Sequence, residues 1–97
     1  MKISLLIPFY NEEKQIPLTL AVVTPILKAT GFDFELVLVD DGSRDATWAV
    51  IQSASSNDHR IHGIHFSRNF GKESAICAAL DASTGDAVIL MDGDLQH

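Results

Sequence analysis

The sequence predicts an α/β fold, a Rossmann-like parallel sheet with flanking helices. Three observations point to it. Short apolar runs alternate with longer stretches of helical spacing, and each change of pattern is marked by Gly, Pro, Asn, Asp or Ser. The runs themselves are nearly continuous in Leu, Val, Ile and Met, as parallel strands covered on both faces require. A length of 97 residues with 46% hydrophobic content is enough for one small domain, placed at 1–97.

Four strands follow in order. Residues 3–8, 35–40 and 87–92 are apolar enough to occupy the middle of the sheet, whereas residues 61–66 are more polar, contain Gly63 and fit an edge. Residues 87–91 are apolar at every position, yet nothing after them in the sequence covers their outer side. Further chain segments are therefore expected to pair with this strand, and a bare edge would also offer a route to homo-oligomers.

The first helix is expected to begin at Asn11 as N-cap, with Glu12 and Glu13 in its first turn where the helix dipole favours carboxylates. Ile16, Leu20, Val23 and Leu27 share one face, Pro25 is expected to kink or divide the helix, and Gly31 ends it. A second helix, capped by Ser43 or Asp45, carries Trp48 and Ile51 inward. The third spans about 72–83, with Ile76, Ala79 and Leu80 as its apolar face and Gly85 at its exit.

Composition narrows the function. A formal net charge of -6 gives no general attraction for nucleic acid or an anionic lipid surface, so a polyanionic ligand needs local chemistry or a cation. The single cysteine, Cys77, has no partner for a disulfide and is expected to pack as a small hydrophobe. No apolar run reaches the ~20 residues that span a bilayer, and the first residues do not resemble a signal peptide, so the expected location is cytoplasmic.

Ligands of open parallel sheets bind beyond the carboxyl ends of the strands. That rule selects four loops: Pro8-Phe9-Tyr10-Asn11-Glu12, Asp40-Asp41-Gly42-Ser43, Ser67-Arg68-Asn69-Phe70-Gly71-Lys72 and Asp92-Gly93-Asp94-Leu95-Gln96. Three of them carry carboxylates, which predicts an acidic cleft. Asp92 and Asp94 are two apart and point the same way in an extended segment. Two carboxylates about 4 Å apart repel by about 4 kcal/mol at an effective dielectric near 20, and a divalent cation removes that penalty. Oxygen ligands with open positions suit Mg2+ or Mn2+, which share their shell with water and phosphate.

Each feature also has a plainer reading. Asp-Gly-Asp is a common turn, Asp40 and Asp41 can form a turn and a helix cap, and Glu12 can answer a helix dipole. Adjacent residues on a strand face opposite ways, so one of Asp40 and Asp41 can enter the cleft while the other braces the loop. Arg68 and Lys72 are the cations of these loops and can either contact phosphate or balance the neighbouring acids. Gly71-Lys72 lacks the spacing of a Walker A loop, and no Gly-x-Gly-x-x-Gly occurs. His59, His62 and His65 do not have the disposition of a metal site and are read as solvated or structural.

Taken in order, Ile7-Pro8-Phe9-Tyr10-Asn11-Glu12, Val39-Asp40-Asp41-Gly42-Ser43-Arg44-Asp45, Ser67-Arg68-Asn69-Phe70-Gly71-Lys72-Glu73 and Met91-Asp92-Gly93-Asp94-Leu95-Gln96 resemble the signature of family 2 glycosyltransferases. The last two, with His97, look like the polyprenyl-phosphate branch, which includes dolichol-phosphate mannose synthases and bactoprenol glucosyltransferases. The resemblance implies the N-terminal, nucleotide-sugar-binding half of a GT-A fold. It further implies Mg2+ or Mn2+, a UDP- or GDP-sugar donor, and inverting transfer to a polyprenyl phosphate such as dolichyl or undecaprenyl phosphate. Carried across by position, Pro8, Tyr10, Glu12 and Asp41 or Asp40 surround the base and ribose, and Asp92, Asp94 and Gln96 form the metal and diphosphate group. Arg68 and Lys72 join the donor site as its cations.

The resemblance implies no general base among these residues, because the acceptor phosphate is already an anion. Family members continue well beyond this length with acceptor-binding and lipid-facing parts. The expectation is therefore a donor-binding portion without turnover of its own, belonging to an enzyme at the cytoplasmic face of a membrane. Competing readings are a haloacid-dehalogenase-like phosphatase, whose Asp-x-Asp would end the first strand, a phosphoreceiver module, and a catalytically inactive nucleotide-binding remnant.

Overall fold

The computed structural model describes residues 1–92, so Asp94 and Gln96 lie outside the described residues. The elements run β1 (Lys2–Phe9), α1 (Gln15–Ala29), β2 (Asp33–Asp40), α2 (Thr47–Asn57), β3 (Ile61–His65), α3 (Lys72–Ala82) and β4 (Ala87–Leu90). All the strand pairs are parallel, in the order β3-β2-β1-β4. The predicted fold class is the one observed.

Alternation along the two central strands assigns a helix layer to each face. Leu5, Ile7 and Phe9 of β1 and Leu36 and Leu38 of β2 pack with Ile16, Val23 and Leu27 of α1 and Ile51 of α2. Leu6, Val37 and Val39 face the other way and meet Ala75 and Ala79 of α3. Both faces being covered explains why these strands read as nearly continuous apolar runs. Each fully buried aliphatic side chain here contributes about 1.5–3 kcal/mol over an exposed one.

The chain steps from β1 to β2 on one side, then returns through α3 to place β4 on the other side of β1. The strand order therefore reverses at the β1/β4 boundary, where open α/β sheets bind their ligands. Pro8 contributes to that opening. Leu6 accepts a bond from the Met91 amide on the β4 side, at 3.0 Å, so the amide hydrogen that Pro8 lacks would point to that same side. The β1–β4 register ends at Leu6 and Leu90, whereas β1 stays paired with β2 as far as Phe9 and Asp40.

Several expectations need correction. Residues 87–92 were expected mid-sheet, but among the described residues β4 is an edge strand, with Val88, Ile89 and Leu90 exposed. Asn11 is not an N-cap, because it adopts a left-handed φ of 52° and α1 begins only at Gln15, leaving no acid in its first turn. Asn tolerates this region better than most residues. Helix α1 runs through Pro25 undivided; Pro25 and Ala21, whose carbonyl it leaves without a helical donor, are both exposed, so water can take up that oxygen. Gly31, at φ 76°, follows its end as expected. On α3 the inward residues are Ala75 and Ala79, while Leu80 is exposed and Ile76 only half-buried. Cys77 is exposed rather than packed.

Candidate functional site

The first two loops beyond the strand ends are laced together by polar bonds. The Asn11 amide donates to Ser43 Oγ at 2.8 Å, and its side-chain oxygen accepts from the Arg44 amide at 2.8 Å. The Glu12 amide donates to Thr47 Oγ1 at 2.9 Å and the Glu13 amide to Asp45 Oδ2 at 3.3 Å. Asp45 also accepts from the Thr47 amide at 2.9 Å and from its hydroxyl. Burial alone would raise the Asp45 carboxyl, but these donors outweigh it and hold it below the usual carboxylate range. The segment after β1 is thus anchored through Asn11 rather than through a helix cap.

Asp40 and Asp41 divide their work as alternation allows. Asp40 is fully buried on the α1/α2 side; its Oδ1 accepts from the Ser43 amide at 2.9 Å. Its Oδ2 accepts no hydrogen bond among the described residues, with His65 Nε2 standing 3.3 Å away, and His65 in turn stacks on Trp48 at 4.7 Å. Asp41 faces the other way. It accepts from Asn69 Nδ2 at 3.1 Å, from the Phe70 amide at 2.9 Å and from the Gly71 amide at 3.1 Å, which ties the segment before α3 to the end of β2. Gly42 permits the close approach: at φ 71° it lies against the backbone of Arg68 and Asn69, where a Cβ would overlap both.

These loops enclose a hollow of about 130 Å³ lined by Pro8, Phe9, Tyr10, Glu12, Asp41, Lys72 and Asp92. It lies at the strand-order reversal. Six of the predicted site residues therefore share one cleft: Pro8, Tyr10, Glu12, Asp41, Lys72 and Asp92. Asp40 does not reach it, being turned under the sheet, and Arg68 instead lays its guanidinium 4.4 Å from the centre of the Phe70 ring. Phe9 was missed; as the last residue of a buried strand its sequence context marks it only as core. A larger cavity, about 450 Å³, lies at the opposite end of the sheet beside Lys2, Glu35, Arg60 and His62. It holds none of the predicted residues and is away from the strand-order reversal.

The hollow is lined by oxygen donors, the ligand type that hard divalent cations take. Asp92, Asp41 and Glu12 line one hollow, where both Asp41 oxygens already accept from Asn69, Phe70 and Gly71 and the Lys72 ammonium pairs with Asp92 Oδ1. Among the described residues no three acidic, thiol or imidazole side chains are grouped to hold a metal by themselves. Mg2+ and Mn2+ generally take one or two protein carboxylates and complete their shell with water and substrate phosphate.

The sequence pattern of Glycosyl transferase family 2 matches residues 4–97. The chain belongs to glycosyl transferase family 2. This assignment sets aside the phosphatase and phosphoreceiver readings. The family 2 chain is 44% identical over 96 residues to the prophage bactoprenol glucosyl transferase homolog of Escherichia coli, covering 99% of this chain and 31% of that protein. It is 45% identical to the bactoprenol glucosyl transferase of Shigella phage SfX, again over 99% of this chain and 32% of the relative. An undecaprenyl-phosphate 4-deoxy-4-formamido-L-arabinose transferase of Photorhabdus laumondii is 41% identical, with 99% and 30% covered. The chain thus spans about a third of the length of these relatives.

Solved structures agree on the fold, and the structural neighbours are GT-A glycosyltransferases. The mannosyltransferase PcManGT of Pyrobaculum calidifontis, in complex with GDP-Man and Mn2+, superposes with a TM-score of 0.79 at 26% identity, over 95% of this chain and 27% of that one. S. aureus TarS in complex with UDP-GlcNAc gives 0.73 at 30% identity, over 97% and 27%. No helix among the described residues is long and apolar enough to cross a membrane.

Proposed function

We propose that residues 1–97 form the donor-binding part of a metal-dependent, inverting glycosyltransferase that moves a sugar from a nucleotide diphosphate to a polyprenyl phosphate. The observation that carries this reading is the convergence of Glu12, Asp41, Lys72 and Asp92 on one hollow at the strand-order reversal, in a chain of family 2. The named relatives act on bactoprenol or undecaprenyl phosphate, and they support the acceptor class. We place the enzyme's working site at the cytoplasmic face of a membrane, because a polyprenyl phosphate is a lipid-borne acceptor. We assign acceptor binding to the remaining two thirds of the relatives' length, so the 97 residues alone bind donor without turning it over.

The roles follow from position. Pro8, Tyr10, Glu12 and Asp41 line the side where β1 and β2 end, and we assign them to the base and ribose. Tyr10 is 43% exposed and offers a ring at the rim, while the Tyr10 amide donates to Glu12 Oε1 at 3.1 Å and fixes that carboxylate. Asp92 sits across the hollow and, with Asp94 and Gln96, would hold Mg2+ or Mn2+ against the diphosphate. A bound divalent ion would supply Lewis-acid stabilisation of the departing diphosphate. Lys72 adds a second positive charge on that side.

Titrating the chain with UDP-glucose and GDP-mannose, with Mn2+ and then with chelator, tests the reading by calorimetry or NMR. Binding is expected to need the metal and to weaken at least tenfold in Asp92→Asn, as removal of a charged metal ligand implies. Metal-independent binding, or none for either nucleotide, would overturn it.

A further inference from the structure

The loop before α3 is fastened to the end of β2. Asp41 takes the amides of Phe70 and Gly71, and the Ala75 amide bonds the Gly71 carbonyl at 3.2 Å, so the first turn of α3 has a fixed stance. Lys72 is the first residue of that helix, and its long side chain crosses the hollow to put its ammonium on Asp92 Oδ1. Both side chains remain well exposed, at 59% and 61%. The two residues are 20 apart in sequence and meet because α3 begins beside the end of β2 while β4 ends on the far side of β1.

Asp92 is the described carboxylate that the proposed function assigns to the metal, so the Lys72 ammonium stands where a divalent ion needs negative charge. Two cations cannot share one exposed carboxylate without repulsion. We propose that Lys72 is the resident counter-cation of Asp92: metal binding must displace its ammonium, and the freed ammonium then turns to the diphosphate of the donor. This rests on the proposed function, which it deepens. Its consequence is coupling. The metal releases the lysine that the diphosphate uses, and the diphosphate draws away the lysine that competes with the metal, so each ligand strengthens the other. Lysine suits the task better than arginine would at a bidentate site, being a point charge on a flexible four-carbon stem.

The test titrates Mn2+ alone, without nucleotide, into the unaltered chain and into Lys72→Gln, Lys72→Arg and Asp92→Asn, followed by calorimetry or paramagnetic broadening of NMR signals. Each titration is then repeated with UDP and with GDP present. Lys72→Gln is expected to bind Mn2+ alone about two- to fivefold more tightly, the range an exposed ion pair is worth. The same variant is expected to lose most of the mutual strengthening between Mn2+ and nucleoside diphosphate, whereas Lys72→Arg retains the competition. Equal or weaker Mn2+ affinity in Lys72→Gln would overturn the counter-cation role while leaving the proposed function standing. No Mn2+ binding by the unaltered chain even with UDP or GDP present, or binding that Asp92→Asn leaves intact, would overturn both.

Discussion

Gly42 carries a constraint out of proportion to its size. Its φ of 71° is open to glycine and strained for other residues, and the Arg68–Asn69 backbone fills the space where a Cβ would go. Gly42→Ala is therefore expected to cost at least the 1–3 kcal/mol typical of a strained backbone position, roughly, and to separate the Asp41 loop from the segment leading to Lys72. Thermal unfolding checks the first effect, and loss of amide protection at Phe70 and Gly71 checks the second. An unchanged melting temperature would mean that the two loops do not need this contact. At this scale the sequence was informative about residue type and less so about direction. Asp40 and Asp41 were recognisable as a pair of which one braces and one faces the cleft, because alternation guarantees opposite sides. Which acid does which depends on where α2 and α3 pack. That is decided by Trp48 and His65 on one side and by the Asn69–Gly71 segment on the other.

Elements were legible where one strong pattern set them and misread where two patterns competed. The central strands announced themselves by nearly continuous apolar runs, and α1 by Ile16, Val23 and Leu27. Its start was displaced because Asn11 bonds both Ser43 and Arg44 in place of capping a helix, a pairing across 32 and 33 residues that no local signal reports. Helix α3 misled in a different way. Its bulky Ile76 and Leu80 suggest the inward face, yet close approach to β1 and β2 selects the small Ala75 and Ala79. Ala75→Leu is accordingly expected to overpack that layer and lower stability by roughly 1–3 kcal/mol. Leu80→Ala, at a 46% exposed position, is expected to stay within about 0.5 kcal/mol of the unaltered chain. Chemical denaturation of both variants settles the facing of α3, and the reverse ranking would restore the face first read from the sequence.

For the molecule as a whole, the feature least visible in the sequence is the buried carboxylate at the end of the sheet opposite the cleft. Glu35 is only 2% exposed, lies on β2, and holds the turn between α3 and β4. It accepts from Ser4 Oγ at 2.6 Å, from the Thr84 amide at 2.6 Å and from Thr84 Oγ1 at 3.2 Å, with Lys2 Nζ and His62 Nε2 each 3.5 Å away. Burial pushes its carboxyl up, but the Ser4 and Thr84 donors and the Lys2 charge together prevail and leave it below the ordinary value of 4.5. A carboxyl lowered by folding contributes stability that is fully present above its unfolded value and is lost as pH falls through its folded one. Asp45 and Asp58 are lowered too, the latter mainly by the Arg60 side chain, so all three acids act in the same direction. The chain is expected to lose stability progressively as pH drops below about 4.5, the unperturbed carboxylate range. Glu35→Gln keeps the shape of the side chain but cannot accept at both ends, so it is expected to be less stable at neutral pH. The gap between the two chains should narrow as acid protonates Glu35 in the unaltered one. Melting temperatures of both measured from pH 7 down to pH 3 decide it, since a gap that stays constant would show that the Glu35 charge plays no part in fastening β4 to the sheet.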